Sequence, residues 1–218
     1  MPKRRTPKDP AKEARILAAA TKIFAKQGYQ HAKTDEIAKA ADVSKGLVFN
    51  YFGSKGQLYV AAVRASYDRL IKNADLTVWS DSKDLKSMIV RATKYKMQMQ
   101  IDYPDDFELS MAAYGEVGNL PKDVASQLND IWSGKVNEML PQMIDPVFKR
   151  LNLREGVSLD VVEQMMTAVS LLIGEESKGL IQANPNITIG EMQPVLDKVA
   201  SYIDVLEHGI LATAPKEK

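Results

Sequence analysis

Residues 37–58 read IAKAADVSKGLVFNYFGSKGQL, and two short helices separated by three residues can be traced through them. Thr34, just upstream, is a cap residue whose hydroxyl can accept a free backbone N–H, and it opens the first helix. Asp35 and Glu36 then fall in the first turn, against the positive end of the helix dipole. Asp42-Val43-Ser44 interrupts the pattern, and a second helix runs from Lys45 to about Phe52, where Gly53 stops it. Ser54 and Gln57 stand at capping-box spacing and open a long helix. Two short helices joined by so tight a turn have the layout of a helix-turn-helix. In that layout the first helix crosses a DNA backbone while the second lies in the major groove, where the base pairs are distinguishable. Short-helix pairs are common in all-helical proteins, so the layout alone is a weak signal.

The surrounding charge strengthens it. Residues 1–55 hold 12 Lys/Arg against 5 acids, and the remainder holds 17 bases against 23 acids, although the whole chain carries only +1. A basic head on an acidic body suits a polyanionic partner, while a merely solvated basic face is the plainer reading of charge alone. The Lys3-Arg4-Arg5 arm would add phosphate or minor-groove contacts. With 45% hydrophobic and 26% charged residues over 218 positions, the composition is that of a globular chain rather than a disordered one. There is no cysteine, which excludes disulfides, thiolate zinc sites and cysteine nucleophiles. The two histidines, His31 and His208, lie far apart in sequence and argue against histidine-based metal or triad chemistry. The most apolar stretch, from Ala168 to Ile173, is broken by Ser170 and falls far short of the roughly 20 residues a membrane span needs. The charged start MPKRRTPKDP lacks the apolar run of a signal peptide. The expectation is a cytoplasmic protein with no membrane partner.

Helical periodicity extends outward in both directions. Asp9-Pro10 reads as a cap and first helical residue, followed by the stripe Ile16, Leu17, Ala20, Phe24 up to Gly28, expected in a left-handed conformation. After Ser54, Leu58, Ala62 and Ala65 lie on one face and Tyr59, Val63, Tyr67 and Leu70 on another, as in a connector buried between two modules. Further helices follow the polar stretch Ser80-Asp81-Ser82, then open at Pro104 and at Pro121, the last expected to kink or end at Pro141 and Pro146. Ser158 caps another. The final helix has an ambiguous start, because Thr188 and Glu191 form a capping-box spacing that would leave Pro194 inside it. The reading is an all-α chain of nine helices: a three-helix DNA-binding module over 1–55, then a larger helical bundle over 56–218.

The run over 37–58 resembles the DNA-binding segment of the tetracycline-repressor (TetR) family of bacterial transcriptional regulators. That segment reads Ile-Ala, then Ala-Gly-Val-Ser, a Gly, Tyr-x-Tyr-Phe and a Lys-x-x-Leu ending. Arg15-Ile16-Leu17, Ala19-Ala20, Phe24, Gly28-Tyr29 and Thr34 also fall where the family places them, so the resemblance covers about residues 12–60. Four positions depart from it: Asp42 stands for Gly, Phe49 for Tyr, Leu47 for Thr and Lys33 for Thr. Asp tolerates the left-handed turn conformation, so the turn should survive; the other departures bear on which operator is read. By this resemblance Thr34 and Ser44 would meet phosphates at helix N-termini, and Tyr51 and Lys55 would clamp the backbone beyond the groove. Lys45 would reach guanine edges, Gly46 would permit close approach, Phe49 would touch a thymine methyl, and Asn50 would bond an adenine or a phosphate. Core packing is the competing reading for the three aromatics: it is preferred for Phe52, not for Tyr51, and left open for Phe49. Ile37, Val43 and Val48 are core.

In the second module the resemblance implies an effector-binding bundle for a hydrophobic or aromatic small molecule. The candidate lining is Tyr67, Met88, Tyr95, Met99, Phe107, Met111, Tyr114, Trp132 and Met139, for each of which a plain packed core is the competing reading. It also implies that the last two helices form a dimer interface, with candidates Val162, Met166, Val169, Ile173, Val199, Tyr202, Ile203 and Leu206. Glu175 and Glu176 would face solvent or bridge a partner. Asp105, Asp106 and Glu108 form the only tight acid cluster, and their place after Pro104 suits a helix dipole better than a metal or acid–base site. No phosphate-cradling Gly loop or nucleophile elbow appears, and no cofactor is implied. The expected function is a homodimeric, ligand-responsive repressor of a palindromic operator. An effector-independent DNA-binding protein and, remotely, a helical enzyme with a metal at the acid cluster are the alternatives.

Overall fold

The Asp9 carboxylate accepts the N–H of Ala11 at 2.9 Å, and Pro10, which needs no hydrogen-bond acceptor, starts the first helix beside it. The computed structural model describes residues 9–208 except 152, 154, 185 and 186, with the backbone alone at 135–137, 140, 178 and 182. Ten α-helices occur among the described residues: α1 Pro10–His31, α2 Thr34–Ala40, α3 Lys45–Phe52, α4 Lys55–Lys72, α5 Thr77–Ser80, α6 Leu85–Asp102, α7 Pro104–Glu116, α8 Lys122–Phe148, α9 Leu159–Ala183 and α10 Gln193–His208. Two 3-10 turns, Val117–Asn119 and Ile189–Met192, complete the list, and no strand occurs among these residues. The all-α expectation holds. The tenth helix is α5, four residues that are too few to show a period.

Other boundaries refine the expectations. Thr34 is the first helical residue of α2 rather than its cap: Lys33 takes the extended cap position, and no side-chain bond caps the helix. Pro141 and Pro146 lie inside α8, which continues through both. The Thr188–Glu191 pair belongs to the 3-10 turn, where the Glu191 carboxylate accepts from the Thr188 N–H and hydroxyl. Helix α10 starts separately at Gln193, so Pro194 sits in its first turn, where a missing N–H costs nothing. No described helix is long and apolar enough to cross a membrane.

Packing groups the described residues into two compact units, each made of two stretches of chain: up to Ala74 with Tyr103–Asn137, and Asp75–Asp102 with Glu138 onward. The first holds α1–α4, α7 and the start of α8. Its core joins Ile16, Ala20 and Phe24 of α1 to Ile37, Val48, Leu58, Tyr59 and Val63, and to Leu109, Val124 and Leu128. Residues 1–55 therefore do not enclose a core alone; α4, α7 and α8 close it. Helix α1 breaks at Gly28 (φ 67°, ψ 177°), the positive φ expected there. A Cβ at Gly28 would lie 2.6 Å from Oε1 of Glu116, whose Oε2 accepts the Tyr29 N–H at 3.2 Å. The second unit closes around Met88, Ile89, Met97, Val147, Phe148, Met192, Leu196, Val199 and Ile203. Within it the Tyr95 hydroxyl accepts the Asp75 N–H at 2.8 Å, and the Arg150 guanidinium donates to the Ser82 carbonyl at 2.9 Å.

Candidate nucleic-acid interface

The turn between α2 and α3 is built from backbone bonds: Ala41 N–H donates to the Ile37 carbonyl at 2.9 Å and Val43 N–H to the Ala38 carbonyl at 3.0 Å. Asp42 takes φ 53°, the one positive φ among the described non-glycine residues, as its short polar side chain permits. Ser44 is extended, and its hydroxyl accepts the Leu47 N–H at 3.2 Å, which starts α3 at Lys45.

From this start, α3 has two distinct faces. Val48 and Tyr51, one turn apart, are buried at 1% and 7% exposure. Lys45 and Phe49, with Gly46 and Asn50 beside them, form two i,i+4 pairs that all face solvent. Phe49, the aromatic left open, is exposed, and Phe52 packs on the core as preferred. The exposed face joins a cation, a backbone that can be approached closely, an apolar ring and an amide. These are the chemistries that distinguish base edges in a major groove.

Two residues assigned to phosphate have work within the protein. Tyr51 lies in the core, and its hydroxyl accepts the Asp9 N–H at 2.8 Å. Core packing, the reading not preferred for Tyr51, therefore holds for its ring: three residues after Val48, it shares the inward face. The Lys55 ammonium donates to the Gln30 carbonyl at 3.2 Å and lies 4.8 Å from the centre of the Tyr29 ring. Burial there lowers its pKa from the usual lysine value. Lys55 thus fastens the start of α4 to the end of α1. Removing only the Tyr51 hydroxyl, as Tyr51→Phe, should lower unfolding free energy by about 1 kcal/mol. Because the hydroxyl is engaged within the protein and no base-reading atom changes, the ratio of affinities for an operator and a scrambled duplex should stay the same at one salt concentration. A changed base preference would contradict the inward placement.

Thr34 is half-buried and Ser44 exposed at the starts of their helices. The Lys45 ammonium forms an ion pair with Asp35 at 2.9 Å. The neighbouring Glu36 accepts instead from the neutral Gln27 amide at 2.9 Å. Lys3, Arg4 and Arg5 lie outside the described residues.

The nine candidate effector residues divide between the units. Tyr67, Phe107, Met111, Tyr114 and Trp132 belong to the first, where Tyr114 and Trp132 meet edge to face at 5.3 Å. Met88, Tyr95, Met99 and Met139 belong to the second; Met88 is fully buried core, and Tyr95 meets Trp79 edge to face. A surface hollow of about 390 Å³ in the first unit, lined by Leu17, Phe52, Val60, Ala61 and Arg64 among others, includes none of the nine.

The dimer candidates also take part in the second unit's own core. Ile173, Val199 and Ile203 are buried, and Val162, Met166, Val169, Tyr202 and Leu206 are half-buried against the second unit's own core. Tyr202 also donates to Glu176, which pairs with Lys198 and ties α9 to α10. A different α9 stripe faces solvent: Val161, Met165, Ala168 and Leu172, with Leu159, Leu171 and Leu180 beside it. Sequence periodicity contained this second stripe at i, i+4, i+7 and i+11, but both stripes are apolar. Asp105 and Asp106 occupy the first turn of α7, where Asp106 is held through both oxygens by Arg69. Among the described residues no three acidic or histidine side chains converge on a metal-sized site.

The family model for bacterial regulatory proteins of the tetR family matches residues 16–62. The HTH-type transcriptional activator FasR of Mycolicibacterium smegmatis is 39% identical over 67 residues, 31% of this chain and 30% of that protein. An HTH-type transcriptional repressor of Streptomyces coelicolor is 33% identical over 89 residues, 40% of this chain and 44% of that protein. The chain thus matches less than half the length of either relative. The solved structure of FadR from Bacillus subtilis, in complex with stearoyl-CoA, aligns with a TM-score of 0.62 and 17% identity over 91% of this chain and 100% of that one. At that identity the likeness is one of fold.

Proposed function

Since the chain is a member of the tetR family of bacterial regulatory proteins, we propose that it is a homodimeric transcriptional repressor that binds a palindromic operator and is released by a small-molecule effector. Residues 1–55 carry the DNA contacts, and 56–218 carry the effector and the dimer interface. The observation that supports this most is the outer face of α3, where Lys45, Gly46, Phe49 and Asn50 stand exposed above a buried Val48 and Tyr51. A helix so divided can enter a major groove without giving up its own core. Thr34 and Ser44, at the starts of α2 and α3, are placed for phosphates, whose negative charge helix N-termini favour. Two copies related by a two-fold axis would present their recognition helices to half-sites about 34 Å apart.

The dimer is assigned to the solvent-facing stripe of α9, Val161, Met165, Ala168 and Leu172, because the inward stripe already serves the protomer's own core. The effector is a hydrophobic or aromatic molecule held by Met and aromatic side chains. It acts by favouring a conformation whose two heads no longer match successive grooves. Long-chain acyl-CoA, the class bound by the Bacillus subtilis FadR structure, is a first probe.

Selection of bound sequences from random duplexes tests the reading, and repeating it with stearoyl-CoA tests release. The expected product is a palindrome with half-sites one helical turn apart. A set of bound sequences with no shared motif would overturn operator recognition, and an unpaired motif would overturn the two-fold dimer. On the selected operator, Lys45→Ala should cost about 1–3 kcal/mol while binding to scrambled duplex scarcely changes.

A further inference from the structure

Lys45, the cation placed to read bases, does not stand alone: its ammonium is 2.9 Å from the Asp35 carboxylate. The two residues open consecutive helices, Asp35 in the first turn of α2 and Lys45 as the first residue of α3. Both side chains are at least half exposed, so the pair is reachable by an incoming duplex and weak enough to exchange.

We propose that Asp35 is a specificity-determining residue, which holds Lys45 back from indiscriminate phosphate binding and yields it only to a base pair with suitable acceptors. The inference rests on α3 being the DNA-reading helix. A lysine ammonium is a compact point charge on a flexible stem and attaches readily to any phosphate. On a random duplex, leaving Asp35 for one phosphate exchanges one anionic partner for another, so little is gained. On the operator the O6 and N7 acceptors of a guanine compensate the separation. The carboxylate thereby removes a sequence-independent contact without removing the sequence-dependent one, which raises the ratio between the two. Glu36 supplies an internal comparison. It carries the same charge one residue further along α2, but it accepts from the Gln27 amide and, among the described residues, holds no lysine.

The test compares full-length wild type, Asp35→Asn, Glu36→Gln, Lys45→Ala and the Asp35→Asn/Lys45→Ala double variant. Each is titrated against the selected operator and a scrambled duplex at several salt concentrations. Asn keeps the shape of the side chain and removes its charge. Asp35→Asn should tighten binding to the scrambled duplex about three-fold more than Glu36→Gln does. Its salt dependence there should steepen by about 0.9 in log–log slope, the signature of one more neutralised phosphate. Operator affinity should rise less, so discrimination falls. In the Lys45→Ala background the Asp35 effect should shrink to that of Glu36→Gln. Equal behaviour of Asp35→Asn and Glu36→Gln, or an Asp35 effect that survives without Lys45, would overturn the proposal. Weaker operator binding by Asp35→Asn would also overturn it, because the carboxylate would then be touching a base itself. A wild type that binds neither duplex would instead refute the DNA-reading assignment on which the inference rests.

Discussion

Leu172→Glu should give a folded monomer that binds its operator about 100-fold or more weakly than wild type. Leu172 is 48% exposed in the protomer, so a carboxylate there remains hydrated when the chain is alone. Stability of the isolated protomer should change by no more than about 0.5 kcal/mol, as for most surface substitutions. In the proposed dimer the same residue recurs across a two-fold axis, and each copy brings a charge into an apolar surface already formed by Val161, Met165 and Ala168. A monomer loses the second half-site, and with it the high effective concentration that linkage provides, which is worth about 10²–10⁴ in avidity. Sedimentation velocity measures the association, a thermal melt the fold, and titration of the operator the affinity. The inward stripe offers the contrast: Ile173 is 4% exposed, so Ile173→Glu should unfold the second unit rather than merely separate the chains. A Leu172→Glu protein that remains a dimer places the interface elsewhere.

Gly28→Ala should destabilise the first unit by about 3 kcal/mol. At φ 67° and ψ 177° the backbone lies in a region that is essentially restricted to glycine, which alone costs about 1–3 kcal/mol for another residue. The added Cβ would also come within 2.6 Å of Oε1 of Glu116. That carboxylate can swing aside, but it then gives up the Tyr29 N–H it accepts at 3.2 Å. Each kcal/mol moves the melting temperature of a chain this size by roughly 2–4 °C, so a fall of about 6–12 °C is expected. Gly53→Ala is the useful comparison. Gly53 also has a positive φ, 79°, but nothing lies within 4 Å of its would-be Cβ, so only backbone strain should register. Identical melts for Gly28→Ala and wild type would show that the junction of α1 and α7 relaxes without cost.

What the sequence disclosed follows from how local each feature is. Asp9, Pro10, Gly28, Asp42, Ser44 and Ser158 act through their own backbone or through partners within a few residues, and each does what its chemistry predicts. Core packing is not preferred for Tyr51 on sequence because the resemblance implies a backbone clamp there, yet its ring lies in the core. Its hydroxyl accepts the N–H of Asp9, the cap of α1, 42 residues away in sequence. Helix α5 escaped notice because four residues carry no periodicity. Helix α9 has two apolar stripes, and residue type alone does not say which meets its own core and which faces solvent. The acid cluster was legible as a dipole effect, yet the capture of Asp106 by Arg69 required the packing of α4 on α7.

The interleaving of the two units has a consequence for the order in which the protein can be completed on the ribosome. Every residue assigned to DNA has been synthesised by Lys55, yet Leu109, Val124 and Leu128, which close the core beneath them, come much later. At bacterial rates of about 5–20 residues per second, the stretch from Ala74 to Asn137 takes roughly 3–13 s to make. For that interval Phe24, Leu58 and Tyr59 have been translated without the α7 and α8 side chains that will cover them. A nascent chain stalled once α4 has cleared the ribosome, but before α7 has, should therefore be cut readily within α1 and α4 by added protease, and the released full-length chain should resist.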